Sequence, residues 1–286
     1  MNGMEIRVVK TAGFCFGVKR AIDTAFKIAE TRHEGVFTYG PLIHNPQVIE
    51  QLREKGIVST DDVAGDRIKA LIIRTHGVPL DIMERVSKGG YELVDATCPF
   101  VKKAQYYAKL LKEQGYQVVI LGDREHPEVK GLMSYAGEDA LVVEDANTLP
   151  LVKSKVGIVV QTTQPIEALR RLVGRVIESS KEMKVYNTIC NSTARRLKET
   201  EEMARNADVM VVVGGKNSAN TTQLAHLCAS IPIRTYHIET AEEIDRQWFE
   251  HVGRVGITAG ASTPDWIIEE VKERIKDIGG RTGNGT

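Results

Sequence analysis

Three segments of this sequence share one arrangement of residues: GFCFGVKR at 13–20, ATCPFVKK at 96–103 and TICNSTAR at 188–195. In each segment a single cysteine follows a strand-like run and opens a helix-like stretch that carries Lys or Arg five positions later. The recurrence predicts one structural unit repeated three times, with one thiol delivered by each unit. Three thiolates that meet at one point form a metal or cluster site that is one ligand short of complete.

The bulk composition indicates a globular protein with more than one domain. A chain of 286 residues exceeds the size at which a single core usually stops growing. The formal net charge is zero, so composition gives no argument for a nucleic acid or an anionic membrane as partner. No apolar run approaches the roughly 18 residues of a membrane span, and residues 1–13 do not contain the long apolar stretch of a secretion signal. Four cysteines, none close to another, do not form a disulfide framework, and we expect a cytoplasmic protein.

Short apolar runs alternate with amphipathic stretches, which predicts an α/β fold with largely parallel sheets. The third repeat lacks a closing strand at its C-terminal end, and residues 6–9 are expected to supply it. Such circular closure would hold three similar domains around one centre. The predicted organisation is a first domain at 14–97, a second at 98–189, a third at 190–279 completed by the N-terminal strand at 1–13, and a disordered tail at 280–286.

The cysteines and several polar loops all follow predicted strands. In parallel α/β sheets, ligands bind beyond the carboxyl ends of the strands. The sequence therefore predicts that these residues face one central pocket.

Thiolate chemistry favours an iron–sulfur cluster at Cys15, Cys98 and Cys190. A zinc site with three cysteines and a histidine is an alternative, but structural zinc sites favour close CxxC pairs, which this sequence lacks. Soft thiolates also select iron–sulfur clusters, and a cubane held by three cysteines leaves one iron open to a substrate. Buried, inert thiols are the other alternative. Cys228 has no equivalent in the repeat and is expected to be a core residue.

Six polar side chains in the strand-end loops suit a diphosphate. Histidines in corresponding loops can donate to phosphate oxygens, and hydroxyl and amide groups near helix N-termini can join them. Each of the latter groups could instead be an ordinary helix cap. The candidates are His44, His76, His126, Ser218, Asn220 and Ser262.

Glu128 is the one carboxylate among the loop residues that suits acid–base work, two positions after His126. A solvated first-turn Glu is the simpler interpretation. In a dry pocket the same group could act as a general acid, and Thr162 or Thr163 could relay a proton.

Together these motifs resemble one known family, the LytB-type 4-hydroxy-3-methylbut-2-enyl diphosphate reductases. The resemblance runs in order from about Val8 to Ile278. It is carried by the segments GFCFGVKRA at 13–21, HNP at 44–46, THGVP at 75–79, DATCP at 95–99, HPEV at 126–129, QTTQ at 161–164, NTICN at 187–191 and AGASTPD at 259–265.

The resemblance implies three α/β domains about a pseudo-threefold axis and one central [4Fe–4S] cluster ligated by Cys15, Cys98 and Cys190. It implies that Glu128 is the proton donor, that Thr162 lies beside the substrate hydroxyl, and that His126 belongs to the catalytic set. Ala219 stands where many members have a second Ser, so one hydroxyl contact is lost there and a backbone N–H could serve. The implied substrate-binding set is His44, His76, His126, Thr162, Ser218, Ala219, Asn220 and Ser262.

The implied reaction is the two-electron reductive dehydroxylation of the allylic diphosphate to isopentenyl and dimethylallyl diphosphate, the final step of the methylerythritol phosphate route to isoprenoids. No nicotinamide or flavin fingerprint is present, so an external donor such as ferredoxin or flavodoxin is expected. Two other classes fit three cysteines. One is a cluster-bearing lyase or synthase of the quinolinate synthase kind, which would need groups for two carboxylates. The other is an electron carrier or iron sensor, which would need a fully ligated cluster and no polar pocket.

Overall fold

The computed structural model describes residues 4–32, 34–63 and 67–281, which form two compact units. We call them the terminal unit, residues 4–18, 44–48 and 191–281, and the internal unit, residues 19–43 and 49–190 apart from the gaps just given.

Strands and helices alternate along the described residues. The strands are β1 Glu5–Val8, β2 Val36–Tyr39, β3 Ile57–Thr60, β4 Ala70–Ile73, β5 Glu92–Asp95, β6 Gln117–Leu121, β7 Leu141–Val143, β8 Lys155–Val160, β9 Glu182–Val185, β10 Val209–Val213, β11 Arg234–Ile238 and β12 Arg254–Ala259. The α-helices are α1 Phe16–Thr31, α2 Pro46–Glu54, α3 Leu80–Val86, α4 Pro99–Glu113, α5 Pro127–Ala136, α6 Ile166–Ile177, α7 Asn191–Ala204, α8 Ala219–Ala229 and α9 Asp265–Arg281. Short 3₁₀ turns occupy Ala146–Thr148, Ala241–Glu243 and Arg246–Phe249.

The internal unit contains two four-stranded parallel sheets, ordered β3-β2-β4-β5 and β7-β6-β8-β9. In both, the strand that comes first along the chain lies second across the sheet. Strands β4 and β6 are buried along their whole length. Strands covered on both faces need apolar side chains at successive positions, which explains the apolar runs ALII in β4 and VVIL in β6.

The terminal unit contains one sheet with the same arrangement, ordered β11-β10-β12-β1. The fourth strand of this sheet comes from the start of the chain: β1 pairs in parallel with β12, from Glu5↔Arg254 to Val8↔Ile257. Helix α9 contributes Ile267, Val271 and Ile275 to the core of this sheet. The N-terminal segment therefore completes a sheet whose other strands lie beyond residue 208.

The expected fold class is confirmed: the described residues form three four-stranded sheets, and every strand pairing in them is parallel. The three domain boundaries remain predictions. Helix α9 continues to Arg281, two residues into the segment expected to be a disordered tail. The apolar face of α9 extends to Ile278, which is buried, and Gly279 lies against Met4. The rest of the predicted tail, 282–286, lies outside the described residues.

Among the helices of the described residues, none has both the length and the apolar character that crossing a membrane requires.

Candidate active site

Glu128 and Thr162 form a buried pair at the carboxyl end of a sheet in the internal unit. Glu128 lies in the first turn of α5, after β6, and Thr162 follows the neighbouring strand β8. Oε1 of Glu128 accepts a hydrogen bond from the backbone N–H of Thr162 at 2.7 Å. Oε2 of Glu128 accepts a second from the Thr162 hydroxyl at 2.8 Å. The carboxyl group is therefore held by both of its oxygens.

The environment of Glu128 favours its neutral form more than water does. The side chain is only 1% exposed. Burial raises the pKa of Glu128 from its ordinary value of 4.5 to about 7, against the hydrogen bonds from the Thr162 backbone and side chain, which lower it. A carboxyl group with a pKa near neutrality holds and releases a proton readily at physiological pH, as a general acid must.

His126 caps the helix that carries Glu128. Its Nδ1 accepts a hydrogen bond from the backbone N–H of Glu128 at 3.2 Å, so the proton of the neutral ring lies on Nε2. His76, in the loop after β4, packs edge-on against the His126 ring with 5.1 Å between centroids. Two of the three predicted histidines therefore lie together, beside the predicted acid.

The three repeat cysteines occupy equivalent backbone positions. The N–H of Cys98 donates to the carbonyl of Thr75 at 2.9 Å, and the N–H of Cys190 donates to the carbonyl of Thr162 at 2.9 Å. In the terminal unit the N–H of Cys15 donates to the carbonyl of Ala261 at 3.2 Å. Each accepting carbonyl belongs to the second residue after a strand: Thr75 follows β4, Thr162 follows β8 and Ala261 follows β12. Each cysteine is thus fixed at the carboxyl end of a sheet, at the start of a helix.

In the internal unit these contacts form one continuous series. The N–H of Cys98 donates a hydrogen bond to Thr75, which directly precedes His76, and the ring of His76 packs against the ring of His126. His126 in turn caps the turn that holds Glu128. Thr162, the partner of Glu128, accepts the hydrogen bond of Cys190. Two predicted cluster ligands therefore border the predicted proton donor and two predicted anion-binding histidines.

The thiols of the three repeat cysteines are suitable ligands for an iron–sulfur cluster. Within the described residues no disulfide joins any of the four cysteines. The three repeat cysteines are half-buried, and each directly precedes a helix N-terminus, where the helix dipole stabilises a thiolate. Cys228 differs, because it is fully buried in the core between α8 and β10 and burial raises its pKa to about 12. A thiol of that kind is inert.

A second group of predicted residues meets in the terminal unit. The Ser262 hydroxyl donates to the carbonyl of His44 at 3.1 Å and lies 3.5 Å from the Ser218 hydroxyl. Asn220 Oδ1 accepts from the N–H of Ala261 at 2.9 Å. Ser218 caps α8, and Ala219 is the first residue of that helix. The hydroxyl groups and the backbone N–H of Ala219 at this helix N-terminus can donate hydrogen bonds to an anionic oxygen.

Sequence reasoning assigned no role to three residues that hold these loops. Gln161 is fully buried, and its Oε1 accepts from the N–H of Asp123 at 3.0 Å, which fixes the loop leading to His126. Arg20 and Arg196 donate to carbonyls just before cysteines. Gln161 lies inside the QTTQ segment. Arg196 shares the buried face of α7 with Thr193 and Thr200, so helical spacing could have identified it.

Residues 6–276 match the model of the LytB protein family. The chain belongs to the LytB family. The expected resemblance is thereby confirmed. Two relatives named 4-hydroxy-3-methylbut-2-enyl diphosphate reductase, from Geobacter sulfurreducens and Pelobacter propionicus, are 51% and 49% identical to this LytB chain over 278 residues. The aligned region is 96% of this chain and 98% and 99% of the two relatives.

Solved structures are similar over the same extent of the LytB chain. One is (E)-4-hydroxy-3-methyl-but-2-enyl diphosphate reductase, described as the terminal enzyme of the non-mevalonate pathway, with a TM-score of 0.71, 43% identity, and coverage of 96% of this chain and 99% of that one. Another is E-1-hydroxy-2-methyl-but-2-enyl-4-diphosphate reductase from Plasmodium falciparum, with a TM-score of 0.86, 25% identity, and coverage of 96% and 87%.

The predicted site residues thus fall into two groups. The internal unit brings together His76, His126, Glu128 and Thr162, bordered by Cys98 and Cys190. The terminal unit brings together His44, Ser218, Asn220 and Ser262, with Ala219 opening α8. The catalytic and binding roles of these residues stay predictions.

Proposed function

We propose that this chain reduces (E)-4-hydroxy-3-methylbut-2-enyl diphosphate to isopentenyl and dimethylallyl diphosphate. Membership of the LytB family and near-full-length relatives that carry the reductase name support the proposal. The observation that carries it is the buried Glu128–Thr162 pair, bordered in the internal unit by two cysteines and two histidines. A lyase of the quinolinate synthase kind would need groups for two carboxylates rather than a set of histidine, serine and asparagine donors, and an electron carrier would have no need for a buried carboxyl group with a near-neutral pKa.

Cys15, Cys98 and Cys190 are the proposed ligands of a [4Fe–4S] cluster. Their equivalent backbone positions and their places before helix N-termini support this assignment. When bound, the cluster supplies electrons and, at the iron without a protein ligand, a Lewis acid. The chain contributes binding, orientation and protons.

Glu128 is the proposed proton donor to the departing hydroxyl group. At its raised pKa a substantial fraction of the carboxyl groups is protonated near pH 7. The Thr162 hydroxyl can accept a proton from Glu128 and donate its own, because a hydroxyl serves as donor and acceptor. The pair therefore forms a two-member relay in a site that excludes water from the carboxyl group.

The diphosphate is assigned to the histidines and the helix-cap groups. In the internal unit, His126 presents its Nε2 proton and His76 lies against it. In the terminal unit, Ser218, Asn220 and Ser262 contribute with His44 and the backbone N–H of Ala219. Hydrogen bonds from neutral and cationic donors stabilise the phosphate oxygens.

The overall reaction balances with two electrons and two protons. The allylic carbon–oxygen bond breaks, the hydroxyl group takes one proton and leaves as water, and two electrons remain on the allyl group. A second proton then binds at either end of that group, which gives the two isomeric products. The electrons come from an external one-electron carrier of the ferredoxin or flavodoxin class, since the sequence has no nicotinamide or flavin fingerprint.

The test uses anaerobically purified protein that has been reconstituted with iron and sulfide. It is supplied with the allylic diphosphate and with reduced methyl viologen as the electron source. We expect both isomeric products, with two electrons consumed per product, and a substrate-dependent change in the spectrum of the cluster.

Two outcomes would contradict the proposal. If the cluster spectrum does not change when substrate is added and no product forms, the assigned reaction is wrong. If the protein turns over with NADPH and no added carrier, the proposed external donor is wrong, while the proposed reaction still stands.

A further inference from the structure

Arg196 is a fully buried cation on α7 in the terminal unit, with 1% of its surface exposed. Its Nη1 donates to the carbonyl of Ala259 at 2.6 Å, and its Nη2 donates to the carbonyl of Gly13 at 2.7 Å. One planar guanidinium therefore joins two backbone segments that are far apart in sequence. Lysine, with a single ammonium group on a flexible stem, cannot reproduce this fork.

Both of these segments hold Cys15. Gly13 lies two residues before the cysteine, and Ala259 is the last residue of β12, two before the carbonyl that accepts the Cys15 N–H. Gly13 has a φ of 90°, in the left-handed region that favours glycine. A Cβ at Gly13 would lie 2.8 Å from a carboxylate oxygen of Asp265, so the turn has little room for a side chain at this position.

The segments that lead into the other two cysteines are held in a related way in the internal unit. Nη2 of Arg20, on α1, donates to the carbonyl of Thr97, directly before Cys98, at 2.7 Å. Tyr107, on α4, stacks on Tyr186 with 3.9 Å between ring centroids, four residues before Cys190. In each case, therefore, the helix that begins after one cysteine contacts the segment that leads into another cysteine.

Packing alone does not account for a buried guanidinium. Taking a full positive charge out of water costs free energy, and an apolar side chain of similar volume often replaces a buried ion without loss of stability. The guanidinium keeps its charge when it donates to carbonyl oxygens. A cluster bound by three thiolates carries net negative charge, and a buried cation that holds one of its ligand loops stabilises that charge.

We infer that Arg196 is a positioning residue for the cluster ligand Cys15, acting through the carbonyls of Gly13 and Ala259. The inference rests on the proposed function, because it requires Cys15 to bind the cluster. Without the guanidinium fork, the Cys15 loop is free to move and the cluster dissociates faster.

The experiment compares Arg196→Gln and Arg196→Lys with the wild-type protein, each reconstituted anaerobically with its cluster. Arg205→Gln is the matched control, since Arg205 directly follows α7, loses the same charge, and forms an exposed pair with Glu201 at 2.6 Å. The rate of cluster loss to an iron chelator is followed by visible absorbance, with far-ultraviolet circular dichroism recorded in parallel. The midpoint potential of the bound cluster is measured as a second readout.

For Arg196→Gln we expect cluster loss about tenfold to a hundredfold faster than in the wild-type protein, with the circular dichroism signal retained. The midpoint potential of this variant becomes more negative, because reduction adds negative charge that the cation no longer offsets. Arg196→Lys keeps the charge and loses the fork, so its potential stays near the wild-type value while its cluster is lost faster. Arg205→Gln behaves as the wild type.

Cluster loss from Arg196→Gln within twofold of the wild-type rate would overturn the inference. So would loss that occurs only together with unfolding, since that would mean a purely structural role. Should Arg196→Gln not fold, Arg196→Lys decides: a wild-type rate of cluster loss overturns the inference. A wild-type protein that binds no iron after reconstitution would instead contradict the proposed function.

Discussion

Replacement of Glu128 by glutamine removes the proposed acid while changing the shape of the site very little. The amide oxygen of the new side chain can still accept the hydrogen bond from the Thr162 backbone, which measures 2.7 Å in the parent. The amide nitrogen takes the place of Oε2, and the Thr162 hydroxyl can accept from it. We therefore expect folding, cluster content and substrate binding to be retained.

The expected loss of turnover follows from the role of the proton. General acid catalysis contributes about 10²- to 10⁴-fold, so we expect kcat for Glu128→Gln to fall by a factor in that range. The pH dependence gives a sharper signature. Because burial raises the pKa of Glu128 to about 7, the protonated fraction falls as pH rises above 7. The kcat of the wild-type protein should decline there by about tenfold per pH unit, and that of the variant should not.

The assay is steady-state turnover of the reconstituted protein with an excess of chemical reductant, so that electron supply does not limit the rate. Glu125→Gln is the matched control, because Glu125 lies in the same loop but is exposed, where it pairs with Lys130 at 2.8 Å. This control should leave kcat and its pH profile unchanged. A Glu128→Gln protein with kcat within threefold of the wild-type value, or a wild-type kcat that rises above pH 7, would refute the assignment.

The remaining predictions concern the same pair and the cysteines. Thr162→Val removes the hydroxyl bond that lowers the pKa of Glu128, so the decline of kcat should move to higher pH, and Thr162→Ser should restore the wild-type profile. Folded Glu128 binds its proton more tightly than the unfolded chain, so the cluster-free protein should lose roughly 3 kcal/mol of stability as pH rises from about 4.5 to about 7. Glu128→Gln should remove that loss, and urea unfolding of both proteins across this range checks it, since parallel profiles would contradict the raised pKa. Cys98→Ser should abolish stable cluster binding, whereas Cys228→Ser, at a core position, should leave iron content unchanged, and equal iron in both variants would mean that other thiols are the ligands.

The sequence by itself determined the repeat and the fold class, and it predicted the site residues. Short apolar runs that alternate with amphipathic stretches predicted the parallel α/β fold, because buried parallel strands such as β10 need continuous apolar side chains. The absence of a closing strand in the third repeat predicted the role of the N-terminus, and β1 pairs with β12. These features depend on local composition and on the order of elements, which a sequence carries directly.

Three of the edge strands, β3, β7 and β11, were not predicted from the sequence. Strand β3 has a mixed pattern of exposure along Ile57–Thr60, and β11 is partly exposed along most of its length. Strand β7 has only three residues. Short strands that are covered on one side lack the apolar run that identifies a central strand, so only pairing with a neighbour defines them.

Tertiary structure alone decided the environment of the functional groups. The spacing of the repeat singles out Arg195, yet Arg195 is exposed, whereas its neighbour Arg196 is buried against the Cys15 loop. Glu128 has the ordinary sequence context of a first-turn helix residue, and its raised pKa comes from burial beside Thr162, which lies on the adjacent strand. Burial and charge depend on contacts between segments that are distant along the chain. Local sequence patterns can therefore predict a candidate catalytic group, but only the folded chain sets its pKa and its partners.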